Sequence, residues 1–97
     1  MHTLTAIIRA QKGSEALVYN ELLKVGAYAR DHEPDTIGFF VAQDTEEPCV
    51  FTTYERFIDK TAMDRHNNGA GSKGFFAAAS NFLDGEIIVV IAKEIWF

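Results

Sequence analysis

The run Ile87-Ile88-Val89-Val90-Ile91-Ala92 limits the possible folds more than any other part of the chain. Side chains on a strand alternate between faces. Ile87, Val89 and Ile91 therefore point one way, and Ile88, Val90 and Ala92 the other. An antiparallel sheet with one wet face shows apolar residues on one parity only. Here both faces need cover, and a single layer of helices covers one. The simplest cover for the second face is the sheet of another copy, so a twofold dimer with sheets face to face is expected. Trp96 and Phe97 stand where they can extend that contact.

The elements before this strand supply the rest. Residues 2–10, with Ile7 and Ile8 adjacent, read as a first strand. A turn at Gln11 to Gly13 leads to Ser14, a candidate N-cap, with Glu15 at the positive helix end. Val18, Leu22, Val25 and Ala29 recur at helical spacing, so a helix is expected over 15–30. Asp31-His32-Glu33 reads as its solvated end, and Pro34 forbids continuation. Residues 36–42 and 49–56 read as a hairpin across the polar turn 44–48. Asp59 can cap a second helix carrying Ala62, Met63 and His66, which the stretch 67–71 interrupts. Ser72 can cap a further helix with Phe75, Ala79, Phe82 and Leu83 inward, and 86–96 is the last strand.

The order β-α-β-β-α-β, its second helix broken, is the split βαβ or ferredoxin-like unit. The expected fold class is α+β: an antiparallel sheet with helices on one face, one domain over residues 1–97, paired in a dimeric α/β barrel.

Composition removes several functions. The net charge is −5 and the nine Lys and Arg residues are scattered, which argues against nucleic acid or an anionic membrane as partner. No apolar run approaches the roughly 20 residues that span a bilayer. The first residues have no charged region ahead of their apolar stretch, so no signal peptide is expected and the cytoplasm is the default location. Cys49 is the sole cysteine and is expected as a small buried hydrophobe. His2, His32 and His66 have no ligand spacing, so no metal is expected. Gly69 to Gly74 lacks the phosphate-loop pattern and follows a helix, and Gly38-Phe39-Phe40-Val41 lacks the basic and small residues of an RNA-binding sheet.

The informative stretch runs from Tyr54 to His66, with Lys73 and Phe75 beyond it. A carboxylate, Glu55, closes the third strand; Phe57 lies two residues on; His66 follows on the next helix. This stretch resembles the antibiotic biosynthesis monooxygenase family, in which the third strand ends in Glu-x-aromatic and the next helix supplies Ala and then His. The likeness runs without gaps from Glu55 to Phe75. The segment Glu33 to Phe39 resembles the piece between the family's first helix and second strand. Two positions depart: Phe57 stands where members commonly carry Trp, and Asp35 where many carry Gly.

The resemblance implies a homodimer that oxidises electron-rich molecules such as anthrones and quinols with O2, without flavin, haem or metal. Some fungal relatives hydroxylate oxylipin-type molecules; others of the same likeness are isomerases, haem degraders or proteins of unknown activity. Dioxygen is a triplet and reacts slowly with closed-shell organics. A substrate that loses a proton becomes an anion able to pass an electron to O2, so a base, donors and a dry pocket suffice.

His66 is the expected base, with Glu55 its partner or itself the base. A structural role for either is an open alternative. Phe57, Phe75 and Phe39 are expected to wall the pocket, with Phe82 as a further contact, and core packing is the alternative for each of the four; Asn81 is a candidate donor to a substrate oxygen, its direction left open by the pattern. Asn67 and Asn68 read as helix-terminating residues beside Gly69. A small-ligand carrier or stress-related dimer and an isomerase or decarboxylase are the rival functions.

Overall fold

A computed structural model describes all residues, 1–97. The elements are β1 (His2–Arg9), α1 (Glu15–His32), β2 (Thr36–Gln43), β3 (Val50–Phe57), α2 (Lys60–Asn67), α3 (Ala70–Ala79), a 3-10 turn (Ser80–Phe82) and β4 (Ile88–Lys93). They form one antiparallel four-stranded sheet in the order β2-β3-β1-β4. This is the ferredoxin-like order expected from the sequence.

Several boundaries follow from identifiable causes. Asp59 caps α2 as expected, its carboxylate accepting from the Ala62 N–H at 2.8 Å. Ser14 precedes α1 but makes no side-chain cap bond. The glycine at 13 supplies the turn there with φ +93°. Gly69, not Ser72, opens α3 in extended backbone. A Cβ at Gly69 would lie 2.9 Å from the Arg65 carbonyl oxygen, so glycine lets α2 and α3 meet closely. Ser72 instead sits buried within α3 and donates to the His66 carbonyl at 2.8 Å. Cys49 is half-buried, not fully enclosed.

One face of the sheet is helix-clad. Leu4, Ala6 and Ile8 of β1 and Phe51 and Phe57 of β3 meet Val18, Leu22 and Val25 of α1, Ala62 and Met63 of α2, and Phe75 and Ala79 of α3 in a single core. Register places Ile91, Leu4, Glu55 and Phe39 in one row across the four strands of that face. Glu55 thus sits mid-sheet under the helices and is 5% exposed. Tyr54, of opposite parity, lies on the other face with Val90, Thr5 and Phe40.

That second face has no helical cover. Ile88 and Val90 are 57% and 55% exposed, and Phe40 is exposed as well. On it, Arg56 donates to both carboxylate oxygens of Glu94 at 3.0 and 2.9 Å, and the Tyr54 hydroxyl donates to Glu94 at 2.6 Å. The last strand, Ile88–Lys93, is shorter than the 86–96 expected from the sequence. No helix is long and apolar enough to cross a membrane.

Candidate active site

His66 lies in the last turn of α2, and helical spacing from Ala62 and Met63 turns it toward the sheet. The ring is 3% exposed. Phe39 and Phe57 flank it, with centroids at 5.7 and 5.3 Å. Its two nitrogens meet two carboxylates. Nδ1 is 2.6 Å from Oε1 of Glu33, and Nε2 is 3.2 Å from Oε1 of Glu55.

Both carboxylates are held in turn. The Thr53 hydroxyl, two residues from Glu55 on the same face of β3, donates to its Oε2 at 2.7 Å. The Thr36 hydroxyl donates to Oε1 of Glu33 at 3.0 Å. Glu33 follows directly on α1, so the loop into β2 delivers it to the imidazole. It is therefore not a solvated helix end, as Asp31 and His32 are; its side chain is 13% exposed.

Burial is the largest influence on the ring and disfavours its charged form. Hydrogen bonding to Glu55 and Glu33, then their charges, act the other way and together prevail. The His66 pKa is raised above the ordinary 6.5. Near that pH the ring is an imidazolium held between two carboxylates. These sit at opposite nitrogens, so they cannot converge on one metal ion as a chelating set.

His66 and Glu55 form part of the wall of a cavity of roughly 110 Å3 beneath α1 and α3. The wall is mainly apolar: Leu4, Ala6, Ile8, Leu22, Val25 and Phe75 are its buried apolar members. Phe76 and Val89, half exposed, and Asn67 form the open side between α3 and β4. Glu33 lies on the far side of the ring, in a separate outer hollow with Tyr28, His32 and Arg65.

The expected site residues are only partly brought together. Glu55, His66, Phe39 and Phe75 meet at the cavity. Phe57 does not line it; wholly buried, it backs the imidazole. Asn81 and Phe82 are displaced from the site. The α-helix ends at Ala79, and the 3-10 turn rotates both outward; they are exposed, and their carbonyls accept from Gln11. Asn67 lines the cavity as well as ending α2. Sequence reasoning missed Glu33, Thr53, Ser72 and Phe76. For Thr53 a signal existed: it shares the parity of Glu55.

The family model for antibiotic biosynthesis monooxygenase matches residues 1–78. The chain belongs to the antibiotic biosynthesis monooxygenase family. Solved structures with this fold include one from Nitrosomonas europaea described with the same family name, at TM-score 0.93 and 14% identity, covering 99% of this chain and 100% of that one. A Pseudomonas aeruginosa protein matches at TM-score 0.88 and 23% identity over 98% and 94% of the two chains. A conserved protein from Methanosarcina mazei matches at 0.82 and 24% over 96% and 91%. At such identities the likeness establishes the shared fold. Among curated proteins none matches the sequence. Members of this family are monooxygenase-like as a class, and the sequence departure at Phe57 places a ring without an N–H against the His66 imidazole.

Proposed function

We propose that this family member is a cofactor-independent monooxygenase acting on a small electron-rich molecule of phenol, quinol or anthrone type. The observation that carries the reading is the Glu55–His66 couple set into the wall of a mainly apolar cavity. A charged acid–base pair at an apolar wall costs desolvation energy and is suited to moving a proton in a dry space.

The couple works as a unit. Glu55 receives the substrate's acidic proton, with the His66 ring at 3.2 Å beside it. This differs from the assignment of His66 as first base, because Glu33 and Glu55 occupy its two ring nitrogens. The substrate anion gives one electron to O2, and the radical pair joins in a C–O bond. The resulting peroxide anion takes the proton back from the couple and loses water, leaving a new carbonyl. One O2 thus yields one inserted oxygen and one water. Phe39 and Phe75 offer faces for a flat substrate.

Homodimerisation is part of the proposal. The uncovered apolar face of the sheet supports it, with Ile88, Val90 and Phe40 as its centre. A cytoplasmic location is likewise part of the proposal.

Oxygen uptake with a panel of phenols, quinols and anthrones tests the function. Wild type is expected to consume O2 and form a carbonyl product, and His66→Ala to lose at least tenfold in turnover while keeping its oligomeric state. Binding without O2 uptake contradicts oxygenation and supports a carrier. Product formed equally under argon supports an isomerase or decarboxylase.

A further inference from the structure

The cavity's size and charge narrow the ligand further. An apolar protein cavity of about 150 Å3 accommodates benzene, whereas drug-sized ligands occupy pockets of about 300–1,000 Å3. The roughly 110 Å3 here suits a single ring, with small substituents reaching the open side between Phe76 and Val89. The charged groups in the wall are Glu55 and His66, and Glu33 stands directly behind the ring. Two carboxylates and one imidazolium leave the site net negative, and neither Lys nor Arg lines the cavity. A carboxylate or phosphate on the ligand would be desolvated there with no free cationic donor to meet it, since Glu33 and Glu55 take both nitrogens of the His66 ring, and that is costly. Asn67 supplies a neutral amide at the rim, suited to a second hydroxyl.

We infer that the cavity takes an uncharged one-ring phenol or hydroquinone, and rejects carboxylate-bearing and fused polycyclic analogues. This rests on the reading above only in taking the cavity as the reaction site. One ring hydroxyl faces Glu55, and the ring packs between Phe39 and Phe75. For such a phenol the oxygenation balances: the ring C–H ends as a quinone C=O, and the second oxygen atom leaves as water.

Calorimetric titration under argon tests the ligand class apart from any turnover. The probes are methylhydroquinone, 2,5-dihydroxybenzoate and anthrone. Methylhydroquinone is expected to bind with a Kd at least tenfold below that of either competitor at pH 7. Val89→Trp, which fills the open side from an exposed position, is expected to raise that Kd at least tenfold. Phe76→Ala, also at an exposed position, is expected to narrow the gap between anthrone and methylhydroquinone. Equal or tighter binding of the carboxylate or of anthrone overturns the inference, as does absent methylhydroquinone binding or its indifference to Val89→Trp. Admitting O2 afterwards separates the two proposals. Preferred binding of methylhydroquinone without O2 uptake sinks oxygenation and leaves the ligand class standing. Oxidation of anthrone in preference to methylhydroquinone does the reverse.

Discussion

Oε1 of Glu33 lies 2.6 Å from Nδ1 of His66, on the side of the ring opposite Glu55. A carboxylate at Nδ1 fixes an imidazole's orientation and raises the basicity of its far nitrogen, as second partners do for metal-binding and catalytic histidines. Glu33→Gln keeps an oxygen able to accept from Nδ1 but removes the charge. Burial, the strongest influence, is then less opposed. The His66 pKa is expected to fall in the variant, read from its ring resonances across pH by NMR. An unchanged midpoint would mean that Glu55 alone sustains the charge.

The same shift makes stability depend on pH. The folded-state pKa of His66 is raised above its unfolded value of about 6.5. Its stabilising contribution is therefore fully present below about 6.5 and is lost as pH rises through the folded value. Urea unfolding between pH 5.5 and 8.5 is expected to show wild type losing stability over that rise. His66→Gln is expected to show a flatter profile. A profile of equal slope in both proteins contradicts the clamped imidazolium.

Two glycines of α3 give opposite signs. A Cβ at Gly71 would lie 2.9 Å from Cδ1 and 3.2 Å from Cβ and Cγ of Tyr28, whereas one at Gly74 meets nothing within 4 Å. Gly71→Ala is expected to destabilise by about 1–3 kcal/mol through overpacking. Gly74→Ala is expected to stabilise by about 0.5–1 kcal/mol through helix propensity. Thermal unfolding of the two variants checks both signs.

The row Val90, Thr5, Tyr54 and Phe40 crosses the uncovered face of the sheet. Val90 is 55% exposed there, so Val90→Lys leaves the single chain's core untouched. Sedimentation is expected to show wild type as a dimer and the variant shifted toward monomer, with unchanged far-ultraviolet circular dichroism. A monomeric wild type at high micromolar concentration contradicts the dimer.

Strand parity and helical spacing are local, and what depends on them was legible. Parity separates Tyr54 and Glu55 onto opposite faces of β3, and helical spacing groups Ala62, Met63 and His66 on a helix that Asp59 caps. The two-sided apolar pattern of β4 likewise identified a face without helical cover. What depends on contacts distant in sequence was not legible. Glu33 looks like a helix-end acid until the chain brings it to a residue 33 positions on. Asn81 and Phe82 continue the helical pattern on paper, yet the helix tightens to a 3-10 turn after Ala79 and rotates them away. Ser72 looks like a cap because it follows the helix-breaking stretch 67–71, but its hydroxyl is taken by the carbonyl of His66.

Ionisation of a bound phenol in the absence of oxygen reads the proposed proton transfer most directly. The ultraviolet difference spectrum of methylhydroquinone mixed with protein at pH 7 under argon is expected to carry a phenolate band with wild type and to lack it with Glu55→Gln. A bound ligand whose spectrum stays that of the neutral phenol in both proteins would contradict the role given to Glu55 and His66.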